Sequence, residues 1–513
     1  MNTKPVASSV LANAAKVARK HRIMLFAVLS LAALLRFHDL GEESLWVDEL
    51  YSLSFVSAEN VSQVVALTAA EDYHPPGYHL ILYYWRALAG ESEVALRFPS
   101  AVAGVLAVLA IYLLGRRLYS EREGIAAALF MTVLRWPVFY SQEARSYSLV
   151  LLFSSLSAYF WWGCLKGLRN SGRLPIWEAV GYAASALALS YLHYFGLYLV
   201  GLQAVALLLL APRAVLRSLL LYAPVAVAYL PWAPAMLWQL GGGAREAWLG
   251  PPTFDYALWF LRDIFNYSAV PAITAYTVLA LGAALAVYDL RGRKPSLDAL
   301  LADGLLVVWF VVPPALIYVF SLVATPLFFP RYLVICLPAA YLLLARAMFR
   351  LFGRHLAGAA AVAALAALFL GYLLFWYDYY AAPEKEQYRE ATAYAVSQAT
   401  PHTVVAQCGW GGWWLSEDFP DRYDYYFEQA GSIEGPGPQI CELEELEAFL
   451  ARLRSGSYDR FIYLRMHVPG TEPVQRALGD RFGSPHRQAV IGGEVWVYDV
   501  ERQEATGNEP RGR

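Results

Sequence analysis

The sequence predicts a polytopic α-helical membrane protein followed by a soluble α/β domain, and three observations predict it. The chain is 58% hydrophobic over 513 residues and only 16% charged, against the quarter typical of soluble domains. Apolar blocks of about 20 residues recur through its first three quarters, long enough to span a hydrocarbon core. Sixteen Trp and 35 Tyr supply the aromatic load that gathers at membrane interfaces.

The spans follow from hydropathy, and their direction from the basic residues. Lys16, Arg19, Lys20 and Arg22 precede Ile23 to Phe37, which lacks a small-residue cleavage site and reads as a retained first span. Pro75 to Ala89 is apolar enough to pass for a span. If it crossed, Arg116, Arg117 and Arg122 would fall outside; lying along the surface as an amphipathic helix, it leaves them inside. With that choice the spans are Arg22–His38, Glu93–Leu114, Gly124–Tyr140, Tyr147–Leu165, Ile176–Tyr194, Gly196–Ala211, Leu216–Trp238, Ala269–Tyr288, Gly304–Ala324, Tyr332–Ala345 and His355–Tyr377. That is about eleven helices. The cytoplasmic side then also collects Lys166/Arg169/Arg173, Arg213/Arg217, Arg291/Arg293/Lys294 and Arg346/Arg350/Arg354.

Four loops fall on the outer side. The first, Asp39 to Ser92, is acidic, with Asp48, Glu49, Glu71 and Asp72 among its carboxylates; Asp48 to Val56 can form a short helix. The second is Tyr140 to Tyr147. The third carries Gly241-Gly242-Gly243 and Pro251-Pro252, which turn the backbone. The fourth is Thr325 to Tyr332.

After Tyr377 the pattern changes. Glu384 to Gln398 and Glu442 to Leu453 read as helices, and Thr403 to Cys408, Arg460 to Leu464 and Glu494 to Tyr498 as strands. The expected domains are a cytoplasmic N-terminus (1–21), a membrane domain (22–377), an extracytoplasmic α/β domain (378–501) and a disordered tail (502–513). Cys164 and Cys336 lie in apolar segments as core filler, whereas Cys408 and Cys441 can form a disulfide.

Several strings, in order, resemble the GT-C glycosyltransferases, and most closely the branch of protein O-mannosyltransferases and aminoarabinose transferases. They are Trp46-Val47-Asp48-Glu49, His74-Pro75-Pro76-Gly77-Tyr78, Arg97-Phe98-Pro99-Ser100 with Gly104, and Gly115-Arg116-Arg117-Leu118. Ser141-Gln142-Glu143-Ala144-Arg145-Ser146-Tyr147, His193-Tyr194 and Pro330-Arg331-Tyr332 continue them. The resemblance covers about Arg22 to Ala345. It implies transfer of a hexose or pentose, in a mannosyltransferase-like reaction, from a polyprenyl-phosphate carrier to a lipid, glycan or protein acceptor outside the cytoplasm. It also implies a catalytic base at Asp48 and a bacterial inner (plasma) membrane location; no nucleic-acid partner is expected. Where aminoarabinose-branch relatives carry an acidic-basic pair, this chain has His74.

The residues can be read for that chemistry one by one. Transfer to a hydroxyl needs a base near the attacking oxygen, typically worth roughly 10²–10⁴-fold. Asp48 fits, and otherwise N-caps its helix. Glu49 points about 100° away, so it orients a neighbour, helps bind acceptor or is simply solvated. Arg331, with Tyr332 beside it, sits at headgroup depth, where a guanidinium can grip a donor phosphate bidentately; Arg145 does the same or pairs with Glu143. Gln142 and Glu143 are polar candidates of the second loop, and His193 and Tyr194 either join the site or pack at the interface. Asp48, His74 and Glu143 are candidate ligands of a divalent metal; His74 otherwise contacts phosphate, helps orient the acceptor or is a solvated loop histidine. Phe328, Phe329 and Tyr332 can line a lipid groove, and Trp410, Trp413 and Trp414 can stack on sugar rings. The rival readings are a lipid or solute transporter, which paired repeats would favour and of which the sequence shows none, and an inactive scaffold of the same fold.

Overall fold

The computed structural model describes residues 4–241, 249–292, 295–409, 425–430, 440–453, 458–467 and 472–500. The chain divides into two compact units, Met1–Leu40 with Asn60–Ala382, and Gly41–Glu59 with Pro383–Arg513. Part of the first outer loop, Asp48 included, thus belongs with the C-terminal segment rather than with the helical bundle.

The first unit is helical. Among the described residues six helices are long and apolar enough to cross a membrane: Glu93–Leu118, Tyr147–Ser171, Ala269–Arg291, Leu297–Val323, Pro330–Phe352 and Leu356–Trp376. Two bent pairs bring the number to eight if each counts as one span: Glu121–Val133 with Arg135–Gln142, bent by 68°, and Phe195–Leu210 with Pro212–Tyr229, bent by 107°. The eleven expected spans are therefore not all straight crossings. The predicted first span lies within a 34-residue helix, Lys4–Phe37, and Ile176–Leu192 is a shorter helix of 17 residues. Prolines explain the breaks: Pro137 follows the first bend, and Pro212 opens the short turn within the second.

Buried arginines pin the first helix. Arg36 donates through Nη2 to the Met131 carbonyl at 2.9 Å and through Nη1 to that of Ala32 at 3.2 Å. Arg97 donates to the Leu40 carbonyl at 3.0 Å. Gly104 sits opposite this corner because a Cβ there would stand 2.0 Å from Ser141 Oγ and 2.9 Å from Arg36 Nε.

The basic residues assigned to one side by charge bias do meet partners together. Glu123, fully buried, accepts from Arg346 at 3.2 Å and Arg354 at 3.1 Å. Asp303 takes Arg350 and, at 2.7 Å, the Tyr119 hydroxyl, while Lys166 pairs with Asp298 at 2.9 Å.

The expected surface helix is present as Gly77–Ala89, with a buried face of Tyr78, His79 and Leu82. A helix not foreseen, Val61–Glu71, precedes it and is capped by Asn60, whose side chain accepts from Gln63 N–H at 3.0 Å.

The second unit carries a four-stranded sheet: β1 (Thr403–Gly409), β2 (Arg460–Met466), β3 (His486–Val490) and β4 (Gly493–Asp499), in the order β1-β2-β4-β3. β1 and β2 are parallel, with Thr403 opposite Arg460, and β4 runs antiparallel to both β2 and β3. Phe461, Tyr463, Trp496 and Tyr498 alternate inward against the helices Leu443–Leu453 and Glu472–Phe482. Cys408 and Cys441 form a disulfide. The expected helix over Glu384 to Gln398 begins at Tyr388. Trp410, Trp413 and Trp414 of the proposed sugar platform, and Gly242 and Gly243, lie outside the described residues.

Candidate active site

The helix that carries Asp48 runs from Val47 to Val56. Its N-cap is Trp46, so Asp48 is the second helical residue and does not cap the helix as the alternative reading required. Its neighbours fix its position. The Glu386 carboxylate accepts the Val47 N–H at 3.2 Å, placing negative charge at the positive helix end. The Leu45 N–H donates to the Tyr426 hydroxyl at 2.6 Å, and Ser44 Oγ to the Glu386 carbonyl at 2.6 Å. Glu43 accepts the Lys385 N–H at 3.1 Å. The Glu43–Val47 strand of backbone is thereby laced to Glu384–Glu386, and Asp48 emerges half-buried at its end.

Glu49 is neither solvated nor an open surface contact. It is fully buried, accepts the Trp46 N–H at 3.4 Å and pairs with Lys385 Nζ at 3.6 Å. An apolar surround makes such a pair costly to open.

In the helical unit a second cluster forms around His74. Asp72, buried, accepts from His74 Nδ1 at 3.0 Å and from the Tyr73 N–H at 2.7 Å, and lies 3.6 Å from His79 Nε2. Burial alone would raise the Asp72 carboxyl, but His74, its hydrogen bond, His79 and Arg145 outweigh it and hold the group well below the usual carboxylate range. Burial pushes the His79 imidazole down to about 4; Asp72 opposes the shift, and Arg145 and His74 add to it. His79 Nδ1 and Thr68 Oγ1 are 3.1 Å apart; the Thr68 hydroxyl itself donates to the Val64 carbonyl at 2.8 Å.

The rings of His74, His193 and Tyr332 converge. His74 and His193 have centroids 5.0 Å apart, and Tyr332 lies 5.6 Å from the first and 5.2 Å from the second. Arg331, next in the chain, lays its guanidinium over Phe329 at 4.6 Å, and Phe329 in turn packs edge-on against Tyr332. Arg145 is buried, and its charge acts on Asp72, His79 and His193. Tyr147 touches His193 at 6.3 Å, whereas Lys166, 19 positions on in the same helix, meets Asp298 at the other end. At 1.5 Å per residue that is roughly 28 Å, close to the thickness of a hydrocarbon core. The histidine cluster and the Lys166 end of that helix are thus a membrane's width apart.

Other expected residues serve elsewhere. Gln142 is buried, donates to the His38 carbonyl at 2.7 Å and accepts from the Tyr379 hydroxyl at 2.9 Å, so its amide ties the first helix to the chain after the last. Tyr194 turns away from His193: it accepts from Trp232 Nε1 at 3.0 Å and bonds Gln239, whose amide reaches the Thr68 carbonyl at 2.9 Å. Consecutive residues at a helix junction leave in different directions, and only the histidine joins the cluster. Glu143 is buried. Among the described residues no three His, Cys, Asp or Glu side chains are grouped as a metal site requires. Asp72 and His79 were missed as site residues; the signal was Asp72-x-His74, a carboxylate two residues from a histidine.

Part of the chain matches a known family. Residues 73–238, which include His74, Arg145 and His193, match the family model described as dolichyl-phosphate-mannose-protein mannosyltransferase. Over 235 residues the chain is 27% identical to undecaprenyl phosphate-alpha-4-amino-4-deoxy-L-arabinose arabinosyl transferase 2 of Pseudomonas fluorescens (strain Pf0-1), covering 42% of this chain and 40% of that one. The chain thus spans two fifths of the curated relative it matches. The crystal structure of ArnT from Cupriavidus metallidurans in the apo state has the same fold, with a TM-score of 0.57 at 13% identity over 94% of this chain and 98% of that one. The same protein bound to undecaprenyl phosphate gives 0.55 at 12% identity, over 92% and 97%.

This chain is an integral membrane protein with the fold of ArnT. In sequence, the matched parts are similar to the O-mannosyltransferases and to the arabinosyl transferases.

Proposed function

We propose that the protein transfers a sugar from a polyprenyl-phosphate donor to an acceptor hydroxyl on the extracytoplasmic face of a bacterial inner membrane, with inversion at the anomeric carbon. The observation that carries the reading is the His74–His193–Tyr332 cluster with Arg145, a basic and aromatic site of which His74, Arg145 and His193 lie inside the region matched to the mannosyltransferase family. The likeness to a protein solved with undecaprenyl phosphate supports the donor class. The Cys408–Cys441 disulfide supports an oxidising compartment for the C-terminal domain.

In the reaction, Asp48 takes the proton of the acceptor hydroxyl as its oxygen attacks the anomeric carbon. The bond from that carbon to the phosphate oxygen breaks, and polyprenyl phosphate leaves as the anion. Arg331 and Arg145 stabilise that charge where it develops, with Tyr332 beside them as a donor. Glu49 acts on Asp48 indirectly, by fixing their shared helix through Lys385. Glu143 and Gln142 support the second loop. His74 stands close to the phosphate.

The test of the donor class uses purified protein in nanodiscs with undecaprenyl-phosphate mannose and undecaprenyl-phosphate aminoarabinose in parallel arms. Release of undecaprenyl phosphate from either, dependent on added envelope acceptor, is the expected result and also assigns the sugar. Turnover of neither donor, with both bound, refutes the reading.

A further inference from the structure

We propose that His193 is a phosphate-binding residue: a neutral imidazole whose buried Nε2–H donates to a non-bridging oxygen of a polyprenyl phosphate. The inference rests on the proposed function for the identity of the ligand, and on geometry for the residue.

The tautomer follows from one hydrogen bond. The Phe195 N–H donates to His193 Nδ1 at 3.1 Å. A nitrogen that accepts carries no proton, so the ring is neutral and its single N–H is on Nε2. That Nε2 is buried and has no hydrogen-bond partner among the described residues, while the residue as a whole is 4% exposed. Buried donors in folded proteins are nearly always satisfied, and one left open asks for a ligand or an ordered water.

The surroundings choose between acceptors. Around the ring stand His74, Phe195, Tyr332 and Tyr147, with centroids 5.0, 5.2, 5.2 and 6.3 Å away. These walls exclude bulk water and offer the donor little competition. Arg145 places positive charge within reach of the same ring, and Asp72, the carboxylate whose charge acts on it, is already engaged by His74 and the Tyr73 N–H. A fixed N–H in a positive field favours an anion over a sugar hydroxyl or an amine. His193 is also held by its main-chain contact at a helix start, so the donor is positioned before the ligand arrives and loses little freedom on binding.

The test measures binding rather than turnover, in the full chain reconstituted in nanodiscs, with undecaprenyl phosphate, undecaprenol and inorganic phosphate as probes. H193N keeps an acceptor for the Phe195 N–H and removes the Nε2 donor; H193Q restores a donor near the ε position; H193F keeps the ring and removes both. Undecaprenyl phosphate is expected to bind about 10- to 100-fold more weakly to H193N and H193F, and within about fivefold of wild type to H193Q, a range set by one charge-assisted bond. Undecaprenol binding is expected to be unchanged in all three. Equal binding of undecaprenyl phosphate by wild type and H193N overturns the proposal while leaving the function standing. A parallel loss for undecaprenol assigns the effect to packing and overturns it as well. Wild-type protein that does not distinguish undecaprenyl phosphate from undecaprenol overturns both the proposal and the proposed function. Displacement by inorganic phosphate at the affinity of the lipid would make the ligand a soluble anion and overturn the lipid assignment.

Discussion

Replacing Lys385 by Met tests whether the helix bearing Asp48 is held in place by the C-terminal segment. Lys385 Nζ and Glu49 Oε2 are 3.6 Å apart, and both side chains are almost wholly removed from water. At an effective dielectric near 20 the attraction is about 4 to 5 kcal/mol. Removing one partner of such a buried pair typically costs about 3 to 5 kcal/mol, because the other charge stays buried without it. The Met variant should therefore lower the stability of its unit by about 3 kcal/mol or more. Hydrogen exchange of the β2 and β4 amides reads that unit apart from the helices, and should quicken by about two orders of magnitude, since each 1.4 kcal/mol is tenfold. Sugar transfer should fall too, since Asp48 shares the helix. The double variant Glu49→Gln with Lys385→Met, which removes both charges, should recover most of the loss. A Lys385→Met protein within about 1 kcal/mol of wild type would refute the reasoning, since it lies far below the expected cost of breaking a buried pair.

Two further outcomes follow from single residues. The His79 imidazole is depressed from 6.5 to about 4 in the folded chain, so between those values the unfolded chain binds a proton that the folded one does not. Stability should therefore fall as pH drops from about 6.5 to 4, by about 3 kcal/mol in all, and thermal melts of His79→Gln should show a flatter profile over that window. Gly104→Ala should destabilise the helical unit by about 1 to 3 kcal/mol, the usual cost of overpacking, because the new Cβ meets Ser141 Oγ and Arg36 Nε; a lowered melting temperature with unchanged Asp48-region exchange checks it.

Much of this fold was legible in the sequence because hydropathy, basic loops and alternating strands are local signals. The surface helix ending at Ala89 and the strands β1, β2 and β4 come from such patterns, whereas the Cys408–Cys441 disulfide is allowed by the sequence and closed only by the fold. The helix Val61–Glu71 was missed although Asn60-x-x-Gln63 is a readable start signal. β3 was missed because its residues are mostly exposed and carry no alternation. The candidate site was legible only as separate residues. His74, His193 and Tyr332 are each more than a hundred positions from the next, and nothing local says that their rings meet. Asp72 was hidden among the other acids of its loop, and only burial sets it apart. Gln142 and Tyr194 looked like site residues because they flank other candidates; their hydrogen bonds tie them to the framework instead. The association of Gly41–Glu59 with the C-terminal segment is a tertiary fact without a local signature.

In the proposed reaction Asp48 is the base for transfer from a polyprenyl phosphate. The most direct measurement is the transfer rate of purified Asp48→Asn protein against wild type, with undecaprenyl-phosphate sugar saturating and its binding measured on the same samples. A loss of about 10²-fold or more in transfer with donor binding retained is expected, in line with the usual worth of a positioned base. Transfer by Asp48→Asn at the parental rate would contradict it.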